Sequence, residues 1–166
     1  MNLTQERLKE LLSYDPLTGV FLWLQDRGGK RAGDEAGCKK RNYVVISVDD
    51  IIYRAHHLAW FYVTGRWPDP FVDHRDLNKH NNAWNNLREA TKSQNQANIG
   101  LIKSNKSGLK GASRYRAGER YGKGWQATIQ KDGKTIFLGH FATKEEAHEA
   151  YVAAASSIFG EFARAA

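Results

Sequence analysis

The fold of this chain is decided by residues 72–98, which read VDHRDLNKHNNAWNNLREATKSQNQAN. Asp73 stands beside His74, Asn86 follows twelve residues after that histidine, and Asn95 follows nine residues further on. A carboxylate and a carboxamide supply oxygen ligands that suit a hard cation such as Mg²⁺. An imidazole can take a proton from water near neutral pH. Together these residue types predict a metal-assisted hydrolase of phosphodiester bonds.

The composition is that of a folded protein without cysteine cross-links. The chain has 166 residues, 41% of them hydrophobic and 11% aromatic, which is enough for one ordinary domain or two small ones. Cys38 is the single cysteine, so an internal disulfide and a zinc site built on a cysteine cluster are both excluded. No apolar run approaches the ~20 residues of a membrane span, and the N-terminal residues lack the pattern of a signal peptide. We therefore expect a cytoplasmic protein with no membrane partner.

The positive charge is concentrated in the C-terminal third. The formal net charge is +7, yet residues 1–50 carry eight basic and eight acidic side chains. Residues 101–166 carry eleven basic and six acidic side chains. This asymmetry indicates a surface that faces a polyanion, although a solubilising face would have the same composition. Beside a candidate nuclease site, nucleic acid is the better interpretation.

Hydrophobic periodicity and turn signals divide the chain into two groups of elements. A polar stretch at residues 103–107 reads as the linker, which predicts domains over residues 1–102 and 108–166. The first group has a helix near residues 3–12, strands over 20–24, 43–48 and 51–53, a helix over 55–63 and a capped helix over 91–98. The second group has strands around residues 112–116, 125–130 and 135–141, followed by a helix capped at Thr143.

Residues 56–98 resemble an HNH endonuclease of the phage and homing-endonuclease type. The resemblance implies an α+β protein whose nuclease domain is a ββα-metal fold, with an HNH core over residues 54–98 and an N-terminal extension over residues 1–53. It also implies an origin in a bacterium or a phage-infected cell. The elements that carry it are His56-His57-Leu58-Ala59, Val72-Asp73-His74, Asn81-Asn82, Asn86-Leu87 and Asn95.

The same resemblance implies a role for each site residue. His74 would be the general base that activates water, and Asp73 and Asn95 would hold one divalent cation, Mg²⁺ with Mn²⁺ as the alternative. Asn86 would fix the loop by side-chain hydrogen bonds. The products would be a 5′-phosphate and a 3′-hydroxyl. His56 would either support the site or contact a phosphate, or it would only pack locally.

Leu77 departs from the HNH pattern, because glycine is common at this position. If the position requires a positive φ, leucine would strain the loop. This departure leaves open a second interpretation, a non-catalytic DNA-binding regulator whose nuclease site has decayed.

Residues 107–163 resemble the AP2 domain. The resemblance implies a three-stranded antiparallel sheet that lies in the major groove of DNA and is backed by a helix. The segments that carry it are Gly108-Leu109-Lys110-Gly111-Ala112, Trp125-Gln126-Ala127-Thr128-Ile129, Phe137-Leu138-Gly139-His140-Phe141, Thr143-Lys144-Glu145-Glu146-Ala147 and Ala150-Tyr151.

Alternation along the predicted strands selects candidates for the DNA-facing side. Base edges would be read by arginine forks, the sugar-phosphate wall would pack against tryptophan, and phosphates would bind lysines. The candidates are Arg114 and Arg116 for the base edges, Trp125 for the sugar-phosphate wall, and Lys110, Lys123 and Lys134 for the phosphates. The alternative is a small α+β domain that binds protein.

The combined prediction is a two-module DNA endonuclease that acts on double-stranded DNA. A monomer is favoured, although the sequence does not determine the oligomeric state. Two alternatives remain open from the sequence: the non-catalytic DNA-binding regulator, and a structural or partner-binding protein.

Overall fold

The structure, a computed structural model, describes residues 3–116 and 123–165, although the side chains of Arg116 and Lys123 are outside that description. The chain divides into two compact units, Met1–Ala90 and Thr91–Ala166, which are called here the N-terminal and C-terminal units. The predicted boundary lay at residues 103–107. The observed boundary lies earlier because the helix that begins after Thr91 packs with the elements that follow it.

The N-terminal unit contains two helices and three small antiparallel sheets. The helices are α1 (Gln5–Leu11) and α2 (Ala55–Thr64). The first sheet pairs β1 (Leu12–Tyr14) with β2 (Phe21–Trp23), and the second has the order β3 (Cys38–Lys40), β4 (Tyr43–Val48), β5 (Ile51–Arg54). The third is a hairpin of β6 (Phe71–His74) and β7 (Leu87–Ala90). The short strands β1 and β3 were not predicted from the sequence.

Local sequence signals explain where these elements begin and end. The Thr4 hydroxyl accepts a hydrogen bond from the Arg7 amide at 3.2 Å and so caps α1. Asp49 and Asp50 both have positive φ, 46° and 64°, as a tight hairpin turn between β4 and β5 requires. Gly65 has a φ of 73° and ends α2 in the left-handed conformation that glycine adopts without strain.

Both strands of the β6–β7 hairpin contribute a side chain to the core of the N-terminal unit. Leu8 of α1 and Leu58 of α2 are fully buried, and Ile46 of β4 is 1% exposed. Val72 of β6 and Leu87 of β7 belong to the same cluster. Because packed interiors resist displacement, the hairpin is held on a rigid base.

In its described residues, the C-terminal unit has a three-stranded antiparallel sheet and two α-helices. The predicted strands and C-terminal helix are present, together with both predicted capping boxes, at Thr91 with Gln94 and at Thr143 with Glu146. The elements are α3 (Lys92–Asn98), β8 (Ala112–Arg116), β9 (Lys123–Lys131), β10 (Lys134–Phe141) and α4 (Lys144–Phe159), with sheet order β10-β9-β8.

The predicted linker is an ordered part of the C-terminal unit. The Asn105 side chain donates to the Leu109 carbonyl at 3.0 Å and accepts from the Gly108 amide at 2.8 Å. The Ser107 hydroxyl also donates to the Leu109 carbonyl, at 2.7 Å. The polar residues read as a linker instead close a turn, because serine and asparagine side chains bond readily to nearby backbone.

Among the described residues, no helix is long and apolar enough to cross a membrane.

We predict that Leu58→Ala lowers the free energy of unfolding of the N-terminal unit by about 2–5 kcal/mol, because the substitution leaves a cavity in a core that cannot fully collapse. Leu17→Ala is the matched control, since Leu17 is 86% exposed and Leu58 is 0% exposed. Urea unfolding followed by tryptophan fluorescence measures both variants, because four of the five tryptophans lie in this unit. Equal stability of the two variants would contradict the assignment of the core.

Candidate active site

The β6–β7 hairpin brings three predicted site residues into one structural unit. Asp73 and His74 are the last two residues of β6, and Asn86 lies in the loop that returns to β7. In the hairpin register Asp73 lies opposite Arg88, and His74 lies opposite Leu87. Successive side chains of a strand point to opposite faces, so the carboxylate and the imidazole leave the strand on different sides.

The loop between the strands is closed by the Asn86 carboxamide. Its Nδ2 donates to Asp76 Oδ1 at 2.9 Å and to the Asn81 carbonyl at 2.8 Å. Its Oδ1 accepts from the Asp76 amide at 3.0 Å. The side chain is 7% exposed, so these bonds are shielded from water. These contacts fix the loop between β6 and β7.

His74 is buried at the end of β6, with 4% of the residue exposed. Its Nε2 lies 3.3 Å from Asn82 Oδ1, and its ring centroid lies 4.7 Å from that of His56. Burial lowers the pKa of His74 below its ordinary value, and the hydrogen bond with Asn82 opposes that change. The imidazole is therefore neutral near pH 7, which is the form that accepts a proton.

His56 packs against His74 from the start of α2. It is 2% exposed, and its ring centroid lies 4.4 Å from His57 and 5.2 Å from Tyr43. Burial lowers the pKa of His56 to about 2 and that of His57 to about 4, so both rings are neutral. A buried neutral ring cannot serve as a phosphate contact on the surface. The structure favours the alternative in which His56 supports the site by packing.

Asp73 forms a buried ion pair with Arg88. The guanidinium Nε and a terminal nitrogen of Arg88 donate to Asp73 Oδ2 at 3.0 and 2.9 Å, and each side chain is 6% exposed. Arg88 was not among the residues predicted from the sequence, although the hairpin register that sets it opposite Asp73 was a usable signal. The pair holds the carboxylate in one orientation.

The donors predicted for a cation have the chemistry that a hard divalent ion requires. Asp73 supplies a carboxylate from β6, and Asn95 supplies a carboxamide from α3 of the C-terminal unit, where it is half-buried. Both donate oxygen, as Mg²⁺ prefers. In the described ranges, no group of three His, Cys, Asp or Glu residues is arranged to hold a metal ion.

Leu77, which stands where the HNH pattern commonly has glycine, has a positive φ. Its φ is 64°, and its amide donates to the His74 carbonyl at 3.1 Å in the turn directly after the candidate base. The left-handed conformation brings Cβ close to the following carbonyl, at a cost of roughly 1–2 kcal/mol. The condition under which leucine would strain the loop is therefore met, in the turn that follows His74.

Two of the predicted DNA contacts lie on the surface of the C-terminal sheet. Arg114 of β8 is exposed and lies over the ring of Trp125, its cross-strand neighbour on β9, with 5.0 Å from guanidinium carbon to centroid. Lys134 of β10 is also exposed. A cavity of about 580 Å³ lies beside Arg114 and Trp125 and is also lined by residues 104–107.

The prediction for Lys110 is corrected by the structure. Its ammonium donates to the Ala97 and Ile99 carbonyls, at 2.5 and 2.6 Å, and so caps the C-terminal end of α3. Burial lowers the pKa of Lys110 to about 8. A half-buried ammonium that is bound to two carbonyls is not available to a phosphate. The side chains of Arg116 and Lys123, the other predicted contacts on these strands, lie outside the described residues.

Comparison with known proteins identifies the class to which this site belongs. Residues 53–97 match the family model described as HNH endonuclease, which is the family that the sequence predicted for this segment. The match covers β6, its loop and β7, together with α2 and nearly all of α3.

Two curated relatives extend the comparison. One is named an uncharacterized HNH endonuclease L560, from Acanthamoeba polyphaga mimivirus, and is 37% identical over 102 residues, which are 61% of this chain and 50% of that protein. The other is Protein 3.8 of Escherichia phage T7, 38% identical over 82 residues, which are 49% of this chain and 64% of that protein. The chain thus spans about half the length of the first relative and less than two thirds of the second. The family match and the name of the first relative agree on similarity to HNH endonucleases.

No solved structure matches the chain. No solved structure therefore tests whether the C-terminal sheet and helix form an AP2 domain, and the AP2 resemblance stays a prediction.

We predict that Leu77→Gly stabilises the N-terminal unit by up to about 1 kcal/mol, because glycine removes the Cβ clash and the gain exceeds its entropic cost. Leu77→Ala is the matched control, since alanine keeps the Cβ and should bring no such gain. Urea unfolding measures both. A glycine variant no more stable than the alanine variant would show that position 77 is not strained.

Proposed function

We propose that this chain is a divalent-metal-dependent DNA endonuclease that hydrolyses phosphodiester bonds to a 5′-phosphate and a 3′-hydroxyl. The observation that carries the proposal is the hairpin of the HNH match, in which a buried acid, a buried neutral histidine and a loop-closing asparagine lie within one short segment. The whole-chain activity is inferred from this site.

His74 is the general base in the proposed reaction. A neutral imidazole in a water-poor site takes a proton from the attacking water, whose oxygen then bonds to phosphorus as the 3′-oxygen leaves. Asn86 contributes indirectly, because its three hydrogen bonds fix the loop that starts at His74. A base held in one orientation loses less entropy on reaching the reactive geometry.

Asp73 and Asn95 are each proposed as an oxygen ligand of the cation, because of the HNH resemblance and because their side chains offer oxygen donors. A bound divalent ion would stabilise the negative charge that develops on the scissile phosphate and on the leaving oxygen. Arg88 holds the Asp73 carboxylate in place through two bonds to the same oxygen, Oδ2. Its positive charge also offsets the cost of burying that carboxylate.

The C-terminal unit is proposed to bind the duplex through its sheet, as the AP2 resemblance implies. Arg114 is exposed and stacked on Trp125, so its guanidinium is held by a flat aromatic surface and needs little ordering when it binds a base edge or phosphate. Lys134 adds an exposed positive charge from β10. The basic excess of residues 101–166 fits a partner with a phosphate backbone.

We predict that His74→Ala abolishes DNA cleavage, with a loss of at least about 10²–10⁴-fold, while the affinity for DNA is nearly unchanged. The matched control is His80→Ala, because His80 is an exposed histidine in the same loop. Nicking of supercoiled plasmid in Mg²⁺ measures cleavage, and gel-shift titration in EDTA measures affinity. Equal loss of cleavage and affinity would argue against His74 as the base, and full cleavage by His74→Ala would exclude it.

We predict that Arg114→Ala weakens duplex binding by about 5- to 150-fold, since a charge-assisted contact to DNA contributes about 1–3 kcal/mol. Arg31→Ala is the control, because it removes the same charge from an exposed position of the N-terminal unit. Binding is titrated at several salt concentrations, where Arg114→Ala should also reduce the salt dependence. Equal affinities of the two variants would reject the sheet as the binding surface.

A further inference from the structure

The contact between His74 and Asn82 determines which ring nitrogen of His74 carries the proton. Asn82 is 3% exposed, and its Oδ1 lies 3.3 Å from His74 Nε2. The orientation of the carboxamide follows from its other end, because Asn82 Nδ2 lies 3.4 Å from the His80 carbonyl and only an amino group can donate to a carbonyl. An amide oxygen accepts but does not donate. Nε2 of His74 must therefore carry the hydrogen, which leaves Nδ1 as the basic nitrogen.

The backbone around Asn82 is held by the N-terminal hairpin at three points. The buried Tyr14 hydroxyl donates to the Asn82 carbonyl at 2.7 Å. The Trp84 amide donates to the Pro16 carbonyl at 2.9 Å. Gly19, with a φ of 76°, lies so close that a Cβ there would clash with the Asn82 carbonyl carbon. The turn between β1 and β2 thus fits directly against residues 82–84.

The hairpin is itself rigid enough to act as a support. The Asp15 carboxylate accepts from the Leu17 amide at 2.9 Å and from the Thr18 hydroxyl at 2.7 Å, which fixes the turn. The Tyr14 ring packs against Phe21 with centroids 4.7 Å apart, in the core of the unit. A displacement of the hairpin would therefore have to disrupt both the turn and the core.

We propose that Asn82 is a positioning residue that selects Nδ1 of His74 as the base, and that the hairpin of residues 12–23 is the support that holds Asn82 in place. This inference rests on the proposed role of His74. It gives the N-terminal hairpin, which lies before the HNH match, a function in the active site. Tyr14 and Gly19 act through Asn82 and do not touch the reacting atoms.

The first test measures the tautomer of His74 directly, by long-range ¹H–¹⁵N NMR correlation of the imidazole in the full chain. The wild type is expected to show the Nε2–H form. Asn82→Ala removes the acceptor and should give a mixture of both tautomers, whereas Asn82→Asp keeps an acceptor at the same place and should keep the Nε2–H form. An unchanged tautomer in a folded Asn82→Ala variant would overturn the inference whether or not the chain cleaves DNA.

The second test is kinetic and uses supercoiled plasmid with Mg²⁺. Asn82→Ala should lower kcat by about 10- to 100-fold, as loss of a group that orients a catalytic residue typically does, with KM for DNA unchanged. Asn82→Asp should recover most of that loss. A fall confined to KM, or no recovery in Asn82→Asp, would overturn the positioning role.

The third test covers the hairpin and remains informative if Asn82→Ala does not fold. Tyr14→Phe removes only the hydroxyl that holds the Asn82 carbonyl, and should shift the His74 tautomer and lower kcat. Tyr62→Phe is the matched control, because Tyr62 packs on Tyr14 with centroids 5.7 Å apart in the same aromatic cluster. Identical tautomers and kcat in the two variants would overturn the supporting role of the hairpin.

Discussion

The candidate active site depends on one carboxamide, that of Asn86, which closes the loop between β6 and β7. Three partly buried hydrogen bonds of this side chain, to Asp76 and Asn81, fix the path of the segment between His74 and β7. Leu77 shows what the closure requires, since it holds the left-handed φ of 64° that a leucine avoids. The loop therefore keeps a strained turn because the surrounding hydrogen bonds over-determine it.

Burial is the second constraint on the site, and the two buried side chains that end β6 each have a compensating contact. Asp73 is compensated by Arg88, and His74 by Asn82. Without such partners, a buried charge or hydrogen-bonding group would cost several kcal/mol. The histidines at positions 56 and 57 satisfy the same constraint differently, by staying neutral, because burial depresses the pKa of each ring. The result is a dry, neutral histidine and, on the opposite side of β6, a carboxylate that is held in place by Arg88.

The parts of the structure that could be predicted from sequence are those set by local signals. The capping boxes at Thr91 and Thr143 are three-residue patterns, and the hairpin turn at Asp49 and Asp50 depends on adjacent residues alone. The match at residues 53–97 likewise confirms what the spacing of His74 and its neighbours predicted for the HNH core.

The features that escaped prediction depend on residues far apart in the chain. Tyr14 reaches Asn82 across 68 positions, and nothing in either local sequence marks the contact. Lys110 looked like a phosphate ligand because its charge was visible, whereas the carbonyls of α3 that it caps were not. The prediction of a linker at residues 103–107 has a related explanation. A polar stretch rich in Ser and Asn forms an ordered turn as readily as a flexible linker.

The central claim is that this hairpin belongs to a metal-dependent endonuclease. It is tested most directly by incubating the purified chain with supercoiled plasmid that carries a library of randomised sites, in Mg²⁺ or Mn²⁺ and in EDTA. If the chain is a metal-dependent endonuclease, we expect nicked or linear product that requires the metal and bears 5′-phosphate and 3′-hydroxyl ends. Intact plasmid in every metal condition, together with DNA binding that weakens as salt rises, would contradict it and indicate a DNA-binding protein without nuclease activity.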